Sequence, residues 1–149
     1  TEHDRRIKRL YMNKQPIVSL NVYYTLIIAQ LVLPVLATAI DMFSTDPELR
    51  LLDRTLYIEP QAWEGIFIAI VAITVLVITF GLFFRKDWAR KAYLYTFFPA
   101  FLVYFMPYLH WFYMSSFAAI FNDLAFVCSG ILLMIFVTPA LYEPIFEKD

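Results

Sequence analysis

The chain has little of what a soluble enzyme is usually built from. Its 149 residues hold one cysteine, two histidines and three glycines, and only 17% of them are charged. Cys128 lies alone in the middle of an apolar run, so neither a disulfide nor a CxxC pair can form, which excludes an intramembrane thiol oxidoreductase. His3 and His110 occur without HxxxH or ExxH spacing, and no metal site is assigned. Met106, His110 and Met114, spaced four apart, offer soft ligand types, but methionine is common in apolar cores and there is no second histidine in the apolar runs, so no cofactor is expected. The glycines Gly65, Gly81 and Gly130 form no GxxxG pair, which leaves small-residue tracks such as Ala62, Gly65, Ala69 and Ala72 for close helix approach.

What the chain has instead is hydrocarbon. Hydrophobic residues make up 61% and aromatic residues 19%, with a mean hydropathy of +0.64. Four runs, 17–43, 62–84, 92–114 and 117–141, each exceed the ~20 residues that cross a bilayer core ~30 Å thick. A soluble fold would have to bury four helices apolar on every side with too little chain left to cover them. The expected fold is an all-α membrane protein, a single domain spanning 1–149. Its four transmembrane helices form an up-down-up-down antiparallel bundle, because connections as short as Arg85 to Lys91 and Ser115 to Ser116 force neighbours to be antiparallel.

Charge sets the expected orientation. Arg5, Arg6, Lys8, Arg9 and Lys14 precede the first run, and Arg85, Lys86, Arg90 and Lys91 separate the second from the third. The connection from Ser44 to Pro60 sets Asp46, Glu48, Asp53 and Glu59 against Arg50 and Arg54. The positive-inside rule then places both termini in the cytoplasm. Short loops, this charge bias and a first run too long for a cleaved signal, with no A-x-A pattern after it, point to a bacterial inner membrane. The lipid bilayer is the first partner, and a membrane-protein partner or a homo-oligomer is a further expectation. Four bases beside a membrane offer no groove-reading element, so nucleic acid is not a partner.

Two connections read as interfacial helices. Residues 1–15 alternate bases with Ile7, Leu10, Tyr11 and Met12, which suits an amphipathic helix on the cytoplasmic leaflet. In the first outer loop, Asp46 followed by Pro47 and Glu48 has the cap, the N1 proline and the acidic first turn of a helix start. Pro34, Pro99 and Pro107 should each bend their helices. The third run is crowded with aromatic residues; Tyr104 is too deep for an interfacial belt, so its hydroxyl should find a partner inside the bundle.

Few polar groups remain to carry a function. Threading the four crossings puts Asp41, Glu64, His110 and Asp123 in one leaflet, with Asp123 ~10 Å below the outer connection. A carboxylate at that depth costs ~2.5–3.5 kcal/mol unless water or a partner receives it, so Asp123 should face inward. Gln30, Thr38 and Asp41 fall near one face of the first helix, with Tyr23 continuing the stripe. The expected ligand site is an outward-facing polar pocket of Gln30, Thr38, Asp41, Glu64, Tyr104, His110, Asn122 and Asp123. Arg85, Lys86, Trp88, Arg90 and Lys91 form a second constellation suited to lipid headgroups. With no catalytic motif, the expected function is non-enzymatic: an accessory subunit of a membrane complex, or a receptor for a lipid-like or small ligand. The alternative is a small intramembrane enzyme or carrier, in which a carboxylate among Asp41, Glu64 and Asp123 acts as base and His110 as its proton partner.

Overall fold

A computed structural model describes residues 17–44, 46–107 and 114–146. The amphipathic helix expected over 1–15, and His110, lie outside them. The described residues are helical and contain no strand. Among the described residues, three helices are long and apolar enough to cross a membrane: α1 (Leu20–Ser44), α3 (Ala62–Phe83) and α5 (Ser116–Val137).

Between α1 and α3 stands α2 (Pro47–Leu56), the helix expected in that connection. The Asp46 carboxylate accepts from the Glu48 N–H at 3.0 Å, Pro47 takes the first helical position, and Glu48 supplies the acidic first turn. The Arg50 guanidinium donates to the Met42 carbonyl, one of the last-turn carbonyls of α1 that no intrahelical N–H can reach. That bond ties α2 to the end of α1.

The third apolar run is not one α-helix. It opens within α4 (Asp87–Phe97) and continues as a 3₁₀ segment, Pro99–Phe105. Pro99 has no N–H to donate, and its ring collides with the carbonyl four residues back. The chain tightens instead into shorter-range bonds, Phe101 N–H to the Phe98 carbonyl and Met106 N–H to the Val103 carbonyl, both 3.1 Å. Seven residues is long for a 3₁₀ segment, a geometry that often marks a hinge. The bend expected at Pro99 is thus a change of helix type. Another proline ends the fourth run early: α5 stops at Val137, and Pro139 begins the short α6 (Pro139–Tyr142).

Residues Phe84 to Lys86 join α3 to α4 in a Schellman turn. The Lys86 N–H donates to the Gly81 carbonyl at 3.0 Å and the Arg85 N–H to the Leu82 carbonyl at 2.9 Å. The left-handed position, usually glycine, is Arg85 with φ of 54°, a conformation that costs ~1–3 kcal/mol and persists because its surroundings hold it. Trp88 then folds back over Gly81. A Cβ on Gly81 would lie 2.5 Å from the Ala89 Cβ and 2.6 Å from the Trp88 ring. Gly81→Val should therefore lose ~1–3 kcal/mol by overpacking; unfolding in detergent micelles measures it, and unchanged stability would contradict the packing.

The small-residue track on α3 does not pack. Ala62, Gly65, Ala69 and Ala72 are exposed, and a Cβ on Gly65 would meet nothing within 4 Å. The reason is that α3 approaches the rest of the protein chiefly at its C-terminal end, where Ile78, Thr79, Gly81 and Leu82 are buried. Close approach belongs instead to α1 and α5, the most extensively packed pair, with Ala37, Ala118 and Ala125 fully or nearly fully buried. These two helices are antiparallel: Tyr23 near the start of α1 meets Phe136 near the end of α5, while Asp41 near the end of α1 meets Ser115. The main core, Tyr23, Ile27, Ile78, Leu82, Ala89, Leu132, Ile135, Phe136, Ile145 and Phe146, gathers at the end of the bundle that holds the α3–α4 turn.

Candidate functional site

Polar arrangements cross between helices at different levels. At the loop end, the Tyr23 hydroxyl donates to the Leu82 carbonyl at 2.7 Å. Arg90, nearly buried, donates from Nε to Asp87 at 2.7 Å and from a terminal nitrogen to the Phe136 carbonyl at 2.9 Å. Its guanidinium also lies 3.8 Å from the centre of the Tyr142 ring. Lys91 adds an ion pair to Asp87 at 2.6 Å. The bonds from Arg90, then those from Lys91, hold the Asp87 carboxyl below the usual carboxylate range. Of the five residues expected at headgroups, Arg90 is turned inward and spent on the fold, Trp88 is partly spent on Gly81, Arg85 and Lys86 are half-buried in the turn, and Lys91 is exposed on the first turns of α4.

Midway along the bundle, Gln30 on α1, Tyr93 on α4 and Ser129 on α5 form a polar knot. The Tyr93 hydroxyl donates to Gln30 Oε1 at 3.0 Å, and the Ser129 hydroxyl, with one proton shared between two acceptors, lies 3.3 Å from the same oxygen and 3.0 Å from the Ala125 carbonyl. No buried side-chain nitrogen or oxygen among the described residues is left without a partner. The Gln30 amide oxygen is thus satisfied from two other helices, as a low-dielectric setting favours.

Above this knot opens a cleft of about 600 Å³ between α1, α3, α4, the 3₁₀ segment and α5. Its walls are mostly apolar: Phe67, Ile70 and Val75 on α3, Phe97 and Phe101 from the third run, and Phe126 on α5. Two hydroxyls on the wall are bonded within their own helices, Thr74 donating to the Ile70 carbonyl and Thr96 to the Ala92 carbonyl, each at 2.8 Å. The cleft exists because two elements fail to pack closely. The 3₁₀ segment, with no buried residue, does not continue α4 along the bundle, and α3 stands clear of α1 over most of its length.

Only part of the expected pocket comes together here. Gln30 and Tyr104 line the cleft. Tyr104, however, is exposed at the rim, and its ring stacks on Phe101 at 6.4 Å; because the chain leaves the bundle as a 3₁₀ segment, its hydroxyl finds no inward partner among the described residues. Thr38 is exposed and donates to the Pro34 carbonyl on its own helix at 2.9 Å. Asp41 accepts from the Ser115 N–H at 2.7 Å, capping the approach to α5. Glu64 is buried and accepts from the Gln61 N–H at 2.7 Å, a helix-start bond. Asn122 is half-buried, whereas Asp123 is exposed. The inward orientation expected for Asp123 is therefore corrected: the helix period that buries Ala118 and Ala125 against α1 turns Asp123 to the outside.

Tyr93 and Ser129 were missed because their neighbours are no guide. Tyr93 sits in a crowd of aromatic residues that read as interfacial, and Ser129 is a lone hydroxyl in an apolar run. A search for hydroxyls near the middle of runs would have found Thr74 and Ser129. Among the described residues no three of His, Cys, Asp and Glu cluster. Comparison with protein-family models, with curated proteins and with solved structures finds no match.

Proposed function

We propose that this chain is a bacterial inner-membrane receptor for a lipid-like molecule, whose hydrocarbon chain enters the cleft between α3 and the 3₁₀ segment. The observation that carries this reading is the cleft itself: about 600 Å³, walled mainly by aromatic and aliphatic side chains, with the Thr74 and Thr96 hydroxyls bonded to carbonyls of their own helices. That volume lies within the ~300–1,000 Å³ of ordinary ligand sites. A polar ligand would find few free donors on such a wall and would lose its hydration uncompensated. A hydrocarbon chain loses nothing there and gains dispersion contacts.

The membrane topology belongs to the same proposal. Four crossings, the third running from Ala92 on α4 into the 3₁₀ segment, would leave both termini and the basic Arg85–Lys91 segment in the cytoplasm, as the bases at the start of the chain and in that segment favour. The cleft would then open sideways into the hydrocarbon, which is where such a ligand is dissolved.

The test is a binding titration with cis-parinaric acid, a fluorescent polyene fatty acid, against the chain in detergent micelles. The wild type should bind, and a Thr74→Phe, Ala100→Phe variant, which fills the cleft from two walls, should bind at least about tenfold more weakly, a loss of ~1.4 kcal/mol. Helical circular dichroism should be unchanged in the variant. Equal binding by both proteins would reject the cleft as the site.

A further inference from the structure

A second surface is organised independently of the cleft and goes beyond the ligand-binding reading. On α5 the residues Phe117, Ile120, Leu124, Val127, Ile131 and Met134 are all exposed. They recur at alternating steps of three and four along the whole helix, which is the 3.5-residue repeat of a helix seam built to receive a second helix. Exposed apolar residues alone would only say that lipid surrounds α5. Two features of the flank say more. In heptad terms, with Phe117, Leu124 and Ile131 at a and Ile120, Val127 and Met134 at d, one flanking row (g) is Ser116, Asp123, Gly130 and Val137. Gly130 is exposed and a Cβ there would meet nothing within 4 Å, so a partner backbone can come close along this side. Asp123 is exposed on the same side, ~10 Å along α5 from its start, a depth at which a carboxylate is costly beside lipid alone.

We infer that this face of α5 docks a transmembrane helix of another protein that carries a lysine or arginine at the depth of Asp123. Charge complementarity selects this occupant over a second copy of the chain. In a parallel pair of α5 helices, Asp123 would face the other flanking row (e), which is Phe121, Cys128 and Ile135. In an antiparallel pair it would approach the flank that holds its own counterpart. Neither arrangement brings a cation to the carboxylate, whereas flanking positions of helix seams set partner choice by opposite charge.

The full chain, carrying a donor fluorophore and reconstituted in phosphatidylcholine vesicles, tests this against two acceptor-labelled synthetic transmembrane peptides. Both have leucines at 3.5-residue spacing; one carries a single flanking lysine ~10 Å from its end, the other a leucine there. Energy transfer should show the lysine peptide binding about tenfold more tightly than the leucine peptide, the scale of a polar contact between membrane helices. Asp123→Asn should abolish that preference, and Asp123→Lys should transfer it to a peptide bearing aspartate. Val127→Trp, on the seam but away from the charge, should weaken both peptides alike. Because Asp123 and Val127 are exposed, the variants keep the fold, and unfolding curves in micelles check that they do. Equal binding of the two peptides, an Asp123→Asn chain that keeps the preference, or Asp123-dependent transfer between two copies of the chain would each overturn the proposal.

Discussion

Tyr23→Ala is expected to remove ~3–5 kcal/mol of stability, the range for deleting a large buried ring, and so to leave little of the fold's net margin. Tyr23 is fully buried, and its ring meets Phe136 and Phe146 edge-on at 6.4 and 5.8 Å. Those neighbours come from α5 and from the turn after α6, while the Tyr23 hydroxyl reaches α3 through the Leu82 carbonyl. One side chain on α1 thus joins the ends of three other elements. Tyr23→Phe separates the two contributions: the ring stays, and only the hydrogen bond is lost. The Leu82 carbonyl keeps the Arg85 N–H as a donor, so this change should cost ~1 kcal/mol. Reversible unfolding in mixed micelles measures both, and near-equal losses would show that the ring packing has been misjudged.

Arg90→Met should lose about 2–3 kcal/mol, somewhat less than the ~3–5 of breaking a fully buried pair, because Asp87 retains Lys91. Methionine keeps an apolar stem of similar length but supplies no donor. The Phe136 carbonyl, in the last turn of α5 where no intrahelical N–H can reach it, is then left without the guanidinium. Arg90→Lys restores a charge but not the planar fork or its stacking on Tyr142, and should fall between. The pair also has a pH signature. Asp87 is held below the usual carboxylate range chiefly by Arg90, so its contribution is complete above that range and is lost as pH falls through the depressed folded value. In Arg90→Met this acid-sensitive part should shrink. An unfolding curve for Arg90→Met with the wild-type dependence on acid would assign the shift to Lys91 instead.

Much of the architecture was legible because it rests on short-range chemistry. The three long apolar helices and α2, with its Asp46-Pro47-Glu48 start, follow from run length and cap geometry that the residues carry locally. The break at Pro99 was legible as a bend, but that the chain would continue as a 3₁₀ segment depends on how Phe101 and Met106 find carbonyls, which a proline alone does not decide. Site residues were less legible, since their placement depends on which side of a helix faces the bundle. Asp123 and Asn122 are adjacent in sequence, and a rotation of one residue decides which is half-buried and which exposed. Gln30 was singled out as polar on an apolar helix, yet its partners Tyr93 and Ser129 lie 63 and 99 residues away. Arg90 was read with its neighbours as a headgroup ligand, because nothing local distinguishes the one base whose helix position points it at Phe136 and Tyr142.

The central claim is that hydrocarbon covers the exposed apolar faces of α3 and α5 while the basic Arg85–Lys91 segment meets water. Nitroxide labels placed one at a time at Val75, Ile131 and Lys86, in a Cys128→Ser background reconstituted in lipid, test it through their collision rates with oxygen and with a water-soluble nickel chelate. The account predicts strong oxygen and weak nickel collisions at Val75 and Ile131, with the reverse at Lys86. Strong nickel collisions at both Val75 and Ile131 would place those faces in water and contradict it.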